Sequence, residues 1–268
     1  MKIFVCIKQV PGVSEVRIDP KTNTLIRQGI PSVVNSHDKH AVELGLQIKE
    51  KHGGEVIAIS MGPPQAEEAL REVLAMGVDK AYLLTDRAFA GADTLATSHT
   101  LALAVKRILK DSSEKNNYIV ICGVQAFDGD TAQVPPEMAE ELKIPQITYV
   151  LNFELKGNKV IVERAFRKEE VVVIETFLPV LVSVVKDINK PREPSMQGIV
   201  NAYQKKQIVS FNAEDLKAKK SEIGLDGSMT EVWKIFIPER KGEHIILSGT
   251  NEEIAQELVK NLKDDKII

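Results

Sequence analysis

The spacing of apolar positions changes several times along the chain, and each change predicts a different element. Residues 2–7, KIFVCI, form an unbroken apolar run of the kind a strand buried on both faces requires. The same reading fits EVIAIS from Glu55, KAYLL from Lys80 and YIVICG from Tyr118. Between these runs, apolar residues recur at helical spacing over residues 38–51, 64–76 and 93–109, and a fourth helix is expected over 131–142. Strands alternating with helices of about three turns predict parallel βαβ units with right-handed crossovers. Residues 1 to about 145 therefore read as an open, mostly parallel α/β sheet.

Around Tyr149 the period becomes two. TYVLNFELKGNKVIVERAF predicts a hairpin turning at Lys156-Gly157-Asn158, and EVVVIET and PVLVSVV predict a further strand pair. From Asn189 the character shifts to NKPREPSMQGIVNAYQKKQ, then to a polar stretch, and finally to a helix expected over 251–262. This divides the chain into an α/β domain, 1–188, and an extended arm with a C-terminal helix, 189–268. The arm has little core-forming pattern of its own. Its apolar positions Val232, Ile235, Phe236, Ile237, Ile245, Ile246 and Leu247 favour wrapping on a partner over a disordered tail.

Composition adds exclusions. With 268 residues, 43% hydrophobic, 27% charged and a net charge of −3, the chain has an ordinary globular balance. Neither nucleic acid nor a membrane surface is an expected partner. No apolar run reaches the roughly 18–20 residues that cross a bilayer, and the apolar part of MKIFVCIKQVPG is too short for a secretory signal, so a cytoplasmic location is expected. Cys6 and Cys122 lie in apolar strands without C-x-x-C spacing and read as reduced core residues.

In open α/β sheets ligands collect where the strands' carboxyl ends turn into helices. No G-x-G and no Gly-Lys pair occurs, which excludes the Rossmann and Walker phosphate fingerprints. His37-Asp38-Lys39-His40 spaces two histidines three apart, but an intervening lysine and no further Cys or His nearby make no metal site. Asn35 or Ser36 as an N-cap, with Asp38 in the first helical turn, is the plainer account of that stretch.

The turn GVQAFDGDTAQV, residues 123–134, offers more. Gly129 permits unusual backbone, a helix start at Thr131 leaves amides free for phosphate, and Asp128, Asp130, Gln125 and Gln133 suit sugar, base or ring edges. An acidic N-cap without ligand is the alternative. GADT, residues 91–94, repeats these ingredients, with Thr94, Thr97 and Ser98 in the first helical turns; two such helix starts in one crevice would suit a pyrophosphate. No nucleophile with an adjacent base is present, so no catalytic side chain is assigned. The residues alone predict an adenine-nucleotide-binding α/β protein with a partner-binding extension.

VCIKQVP at the start, the turn at residues 35–38, AISMGPPQAEEALREVLAMGVDKAYLL, GADTLATS, the turn at 123–134 and NKPREPSMQGIVNAYQKKQ together resemble the β subunit of electron transfer flavoproteins over nearly the whole chain. The resemblance implies an adenine nucleotide alpha hydrolase-like sheet with an added β-hairpin and an arm that packs on an α subunit. One branch of this family holds a structural AMP in the β subunit, with FAD mainly in α; another holds a second FAD there and couples NAD(H) oxidation to electron bifurcation. Asp128-Gly129-Asp130-Thr131-Ala132-Gln133-Val134 and GADTLATS resemble the second branch, where small Gly129 and Ala132 leave room for a flavin.

By that resemblance Cys6, Asn35, Ser36, His37 and Asp38 line the adenosine side and Met61 packs on the same nucleotide. Gly123, Gln125, Ala126, Phe127, Asp128, Gly129, Asp130, Thr131, Ala132, Gln133 and Val134 form the long binding loop. Met196 resembles the apolar anchor that docks on an acyl-CoA or other flavin-dependent dehydrogenase, and ferredoxin is a candidate low-potential acceptor. Pro135 departs from the family pattern and lacks an N–H. The open alternatives are the AMP-bearing branch, and a regulatory or ATP-using α/β protein; against the latter, the nucleotide turns contain no Lys or Arg placed for a transferred phosphate.

Overall fold

The computed structural model describes residues 1–12, 17–18, 25–26, 32–110, 115–167, 170–233 and 246–268. The chain begins with β1 (Lys2–Cys6), β2 (Gln9–Pro11), the two-residue β3 (Arg17–Ile18) and β4 (Leu25–Ile26), and β5 (Ser32–Val34). Then follow α1 (Ser36–His52), β6 (Glu55–Met61), α2 (Glu67–Met76), β7 (Lys80–Leu84), α3 (Thr94–Lys110), β8 (Tyr118–Gly123) and α4 (Val134–Leu142). The remainder comprises β9 (Gln146–Lys156), β10 (Lys159–Arg167), β11 (Glu170–Phe177), β12 (Val180–Val184), α5 (Met196–Gln204), β13 (Ile208–Phe211) and α6 (Asn251–Asp264).

A nine-stranded sheet runs β11-β10-β9-β12-β8-β1-β6-β7-β13. Every pairing from β9 to β13 is parallel, and only β10 pairs antiparallel, with β9 and with β11. The apolar run of β1 divides between two cores. Ile3 and Val5 join the residues of α1 and α2 on one face, while Phe4 and Cys6 join those of α3 and α4 on the other. Both faces are covered, so the strand needs no polar alternation. Each fully buried side chain of this size stabilises by roughly 1.5–3 kcal/mol.

The expected strands and helices form, with three instructive differences. First, α4 starts at Val134, not at Thr131, because Asp130 and Ala132 take positive φ (53° and 55°) and cannot continue a right-handed helix. Pro135 and Pro136 then fall in the first helical turn, where a missing N–H costs nothing, which accounts for Pro135. Second, β11 and β12 do not pair with each other: β11 forms the sheet's outer edge on β10, and β12 returns to the sheet interior between β9 and β8.

Third, the arm contributes to the fold. β13 extends the sheet beside β7, with Val209 opposite Tyr82, and α5 packs on α2. The chain divides by its contacts into Met1–Trp233 and Lys234–Ile268, so the compact unit continues well past residue 188. In the second unit, α6 opens with a reciprocal capping box between Thr250 and Glu253. Ile235, Phe236, Ile237 and Ile245 lie outside the described residues.

Candidate functional site

The chain leaves β1 toward β6 and β7 on one side and later returns to β8 on the other. That reversal opens a crevice outside the carboxyl ends of β1 and β8. Its walls are the exit from β1, the start of α1 and the loop of residues 124–133.

Asn35 shapes this crevice from within. It is fully buried; its N–H donates to the Lys8 carbonyl (2.9 Å), its Nδ2 donates to the Gln125 carbonyl (2.9 Å), and its Oδ1 accepts the Phe127 N–H (3.1 Å). The expected N-cap is not made: neither Asn35 nor Ser36 caps α1 through a side chain. Asn35 is spent on joining three segments, and among the described residues the amides of Ser36 and His37 have no intramolecular acceptor.

Asp38 sits beneath, accepting the Lys8 N–H at 2.7 Å. Burial pushes its carboxyl up to about 7, although hydrogen bonds from Asn35 and from the Lys8 and Gly123 N–H groups pull the other way. Gly123 is required by this packing, since a Cβ there would stand 2.3 Å from Asp38 Oδ1. Next door, burial first and then the charges of His40 and Lys186 hold the His37 imidazole below its ordinary range, while Asp130 opposes them. Its Nδ1 is buried without a partner among the described residues.

Both acids of the loop after β8 have partners. Lys8 Nζ reaches both oxygens of Asp128 (2.6 and 2.8 Å), and Gln125 donates to Asp130. Lys8 is a site residue the sequence reading missed; its signal was a lone base two residues past the first buried strand. The amides of Thr131, Ala132, Gln133 and Val134 have no intramolecular acceptor among the described residues. Four free N–H groups in a loop with positive φ at Asp130 and Ala132 make an anion-binding concavity. Three of the donors come from this loop and the fourth, Val134, is the first residue of α4, whereas a helix beginning at Thr131 was expected; Pro135 and Pro136 end the supply.

The second helix start is different. Asp93 Oδ1 caps α3 through the Ala96 N–H (3.0 Å), and Oδ2 accepts the Met229 N–H (2.8 Å), the Thr230 N–H (3.0 Å) and the Thr230 hydroxyl (3.0 Å). Burial opposes its charge, but these hydrogen bonds win and hold the carboxyl below its ordinary value. Thr94 Oγ1 donates to Glu137 Oε1 (3.1 Å), so α3 and α4 start side by side. Burial raises the Glu137 carboxyl, and its Oε2 has no hydrogen-bond partner among the described residues. Thr97 is half-buried, its N–H bonded to the Asp93 carbonyl (3.0 Å).

Met61, at the carboxyl end of β6, lines a crevice of about 180 Å³ with Lys8, Pro63, Ala66 and Asp128. Cys6, at the end of β1, lies in the core under α3 and α4, with Sγ 3.9 Å from Met138 Sδ and in register with Cys122, whose thiol is pushed up by the hydrogen bond to Cys6 and by burial. Both cysteines are free and buried, as expected. Ala126 carries the loop's turn through its carbonyl, which accepts the N–H groups of Gly129 (3.3 Å) and Asp130 (2.8 Å). Phe127 is exposed, and a Cβ at Gly129 would meet open space. Met196 stands apart, on α5. Among the described residues no cluster of three metal-ligating side chains occurs, and no helix is long and apolar enough to cross a membrane.

The sheet order, with this amide-lined crevice at its switch point, defines an α/β protein with a candidate ligand site at the carboxyl ends of the strands. The electron transfer flavoprotein domain model matches residues 22–216. The chain is 53% identical to the electron transfer flavoprotein subunit beta of Thermoanaerobacterium thermosaccharolyticum, across all of both chains. It is 47% identical to the caffeyl-CoA reductase-Etf complex subunit CarD of Acetobacterium woodii and 39% identical to the acryloyl-CoA reductase electron transfer subunit gamma of Anaerotignum propionicum, again across all of both chains. The chain belongs to the electron transfer flavoprotein family, as a β subunit.

Proposed function

We propose that the crevice holds an FAD, and that the chain acts in the cytoplasm with an α subunit carrying a second FAD in NAD(H)-linked electron bifurcation. The observation that carries this reading is the run of amides from Thr131 to Val134 without an acceptor among the described residues, beside one acid paired with Lys8 and another held by Gln125. These amides, with those of Ser36 and His37, would hold phosphate oxygens. Met61 would pack on the nucleotide, and Asp128, Asp130 and Gln125 would meet its polar edges. Lys8 is engaged by Asp128, so it is not set aside for phosphoryl transfer, which speaks against an ATP-using protein. Bound flavin would supply the interconversion of two-electron and one-electron transfer. The chain's own part is to position that group and to set the charge around it, and no side chain serves as a general acid or base.

Exposed apolar residues supply two partner surfaces. Val171, Val173 and Phe177 lie on the outer edge strand β11, where an uncovered strand is a liability, and an α subunit would cover them. Met196 on α5 would meet a flavin-dependent acyl-CoA dehydrogenase, in keeping with the reductase complexes to which two relatives' names refer. Ferredoxin fits as a low-potential acceptor in the same scheme.

A second reading, AMP in place of the flavin, is favoured by the small volume of the pocket beside Met61, Lys8 and Asp128, about 180 Å³ against the roughly 300–1,000 Å³ of ordinary cofactor pockets. Gly129, facing open space, favours the larger group. Denaturing the purified heterodimer and counting released nucleotides separates them: two FAD and no AMP are expected, and one FAD with one AMP overturns the flavin assignment.

A further inference from the structure

We propose that Arg192 is a positioning residue for electron delivery: it clamps a pre-formed docking helix, α5, to α1, the same helix that builds the nucleotide crevice. The proposal rests on the reading that α5 docks the dehydrogenase. α5 presents Met196, Ile199, Val200 and Tyr203, exposed by 81%, 41%, 41% and 65%, at the i, i+3, i+4, i+7 spacing of a single stripe. Its other side is seated on α2 so closely that a Cβ at Gly198 would stand 2.2 Å from the Ala75 carbonyl oxygen.

Both ends of α5 are fixed by side chains that do not belong to the stripe. Upstream, the Arg192 guanidinium forks onto buried Glu43 (Nε to Oε2 2.8 Å, Nη2 to Oε1 3.0 Å) and onto Glu50 (Nη1 to Oε1 2.5 Å, Nη2 to Oε2 3.2 Å). The Arg192 N–H also donates to Glu43 Oε2 (3.1 Å), and Asn189 Nδ2 donates to the His40 carbonyl (3.0 Å). Downstream, Arg71 Nη1 donates to the carbonyls of Ala202 (2.5 Å) and Lys206 (2.7 Å).

α1 thus carries Asn35 and Asp38 of the crevice at its start and His40, Glu43 and Glu50 as anchors further along. α1 links the crevice to the segment that leads into the docking stripe, while α2 seats the stripe itself. A surface fixed in advance binds without an ordering cost, so loosening the clamp acts on partner affinity and not on chemistry in the crevice.

The test uses the intact heterodimer with its partner dehydrogenase and compares Arg192→Lys and Glu50→Gln with Met196→Ala. Arg192→Lys keeps the charge but loses the fork; Glu50→Gln, at an exposed acid, guards against a folding defect. Expected are a KM for the dehydrogenase raised about fivefold in Arg192→Lys and less in Glu50→Gln, an unchanged kcat, unchanged NADH-to-dye turnover and unchanged nucleotide content. An unchanged KM in both clamp variants beside a raised one in Met196→Ala overturns the clamp alone. An unchanged KM in Met196→Ala removes the docking reading and the clamp with it, and dye turnover falling in step with the rise in KM also overturns the clamp.

Discussion

GADT at residues 91–94 and DGDT at residues 128–131 look interchangeable, and the folded chain treats them in opposite ways. At the first, Asp93 closes the start of α3 and binds the backbone of residues 229–230, so that helix end is consumed by the protein itself. At the second, Asp128 and Asp130 turn to Lys8 and Gln125, and four consecutive amides are left open. A short acidic turn before a helix is therefore neither a cap nor a cradle until its carboxylates have partners. One such partner lies 136 residues away, where the Met229 N–H donates to Asp93 Oδ2.

The contrast is broken most severely at Gly123. Gly123→Ala places a Cβ 2.3 Å from Asp38 Oδ1 and 2.7 and 2.8 Å from the backbone of His37 and Asp38, so turning the carboxylate aside does not relieve the clash. A loss of about 3 kcal/mol in urea unfolding and loss of bound nucleotide are expected. An alanine variant with full nucleotide content would show that the loop does not depend on this contact.

Asp38→Asn tests the buried acid beneath the cradle. The native carboxyl keeps its proton up to about pH 7, whereas the unfolded chain releases it near 3.8. The native state binds the extra proton between these values. Stability from the neutral form is therefore complete below about 3.8 and is lost as pH rises through about 7, by at most ~1.4 kcal/mol per pH unit. Asparagine, having no proton to lose, should flatten that part of the curve, and parallel curves for the two proteins would contradict the assignment.

Asp93→Ala should cost about 1–2 kcal/mol through the lost cap, seen as a lower Tm, while nucleotide content stays the same. The smallest effect is expected at Ala132, whose φ of 55° is strained for any L-residue with a Cβ. Ala132→Gly should stabilise the nucleotide-free protein by about 1 kcal/mol.

Much of the sheet was legible because β1, β6, β7 and β8 are buried on both faces, and only continuous apolar runs fit there. α5 and β13 were not legible. IVSF is four residues long between polar neighbours, and it becomes a strand only because β7 offers an open edge. α5 shows an apolar stripe with Pro, Lys and Arg on either side, and its inner face relies on Gly198 and Ala202, which carry little hydrophobic signal. At the candidate site, residue types pointed to the loop, whereas the start of α1 read as a plain cap and was named only through the family resemblance. Lys8 and the true start of α4 were not legible, because one depends on a contact across 120 residues and the other on the φ values of Asp130 and Ala132.

The open cradle itself is most directly tested by hydrogen exchange over peptides spanning residues 124–134, in the heterodimer before and after its nucleotide is stripped. Strong protection that disappears with the nucleotide is expected, while peptides across residues 91–98 stay protected in both states. Equal exchange at 124–134 with and without nucleotide would contradict the assignment of these amides to phosphate.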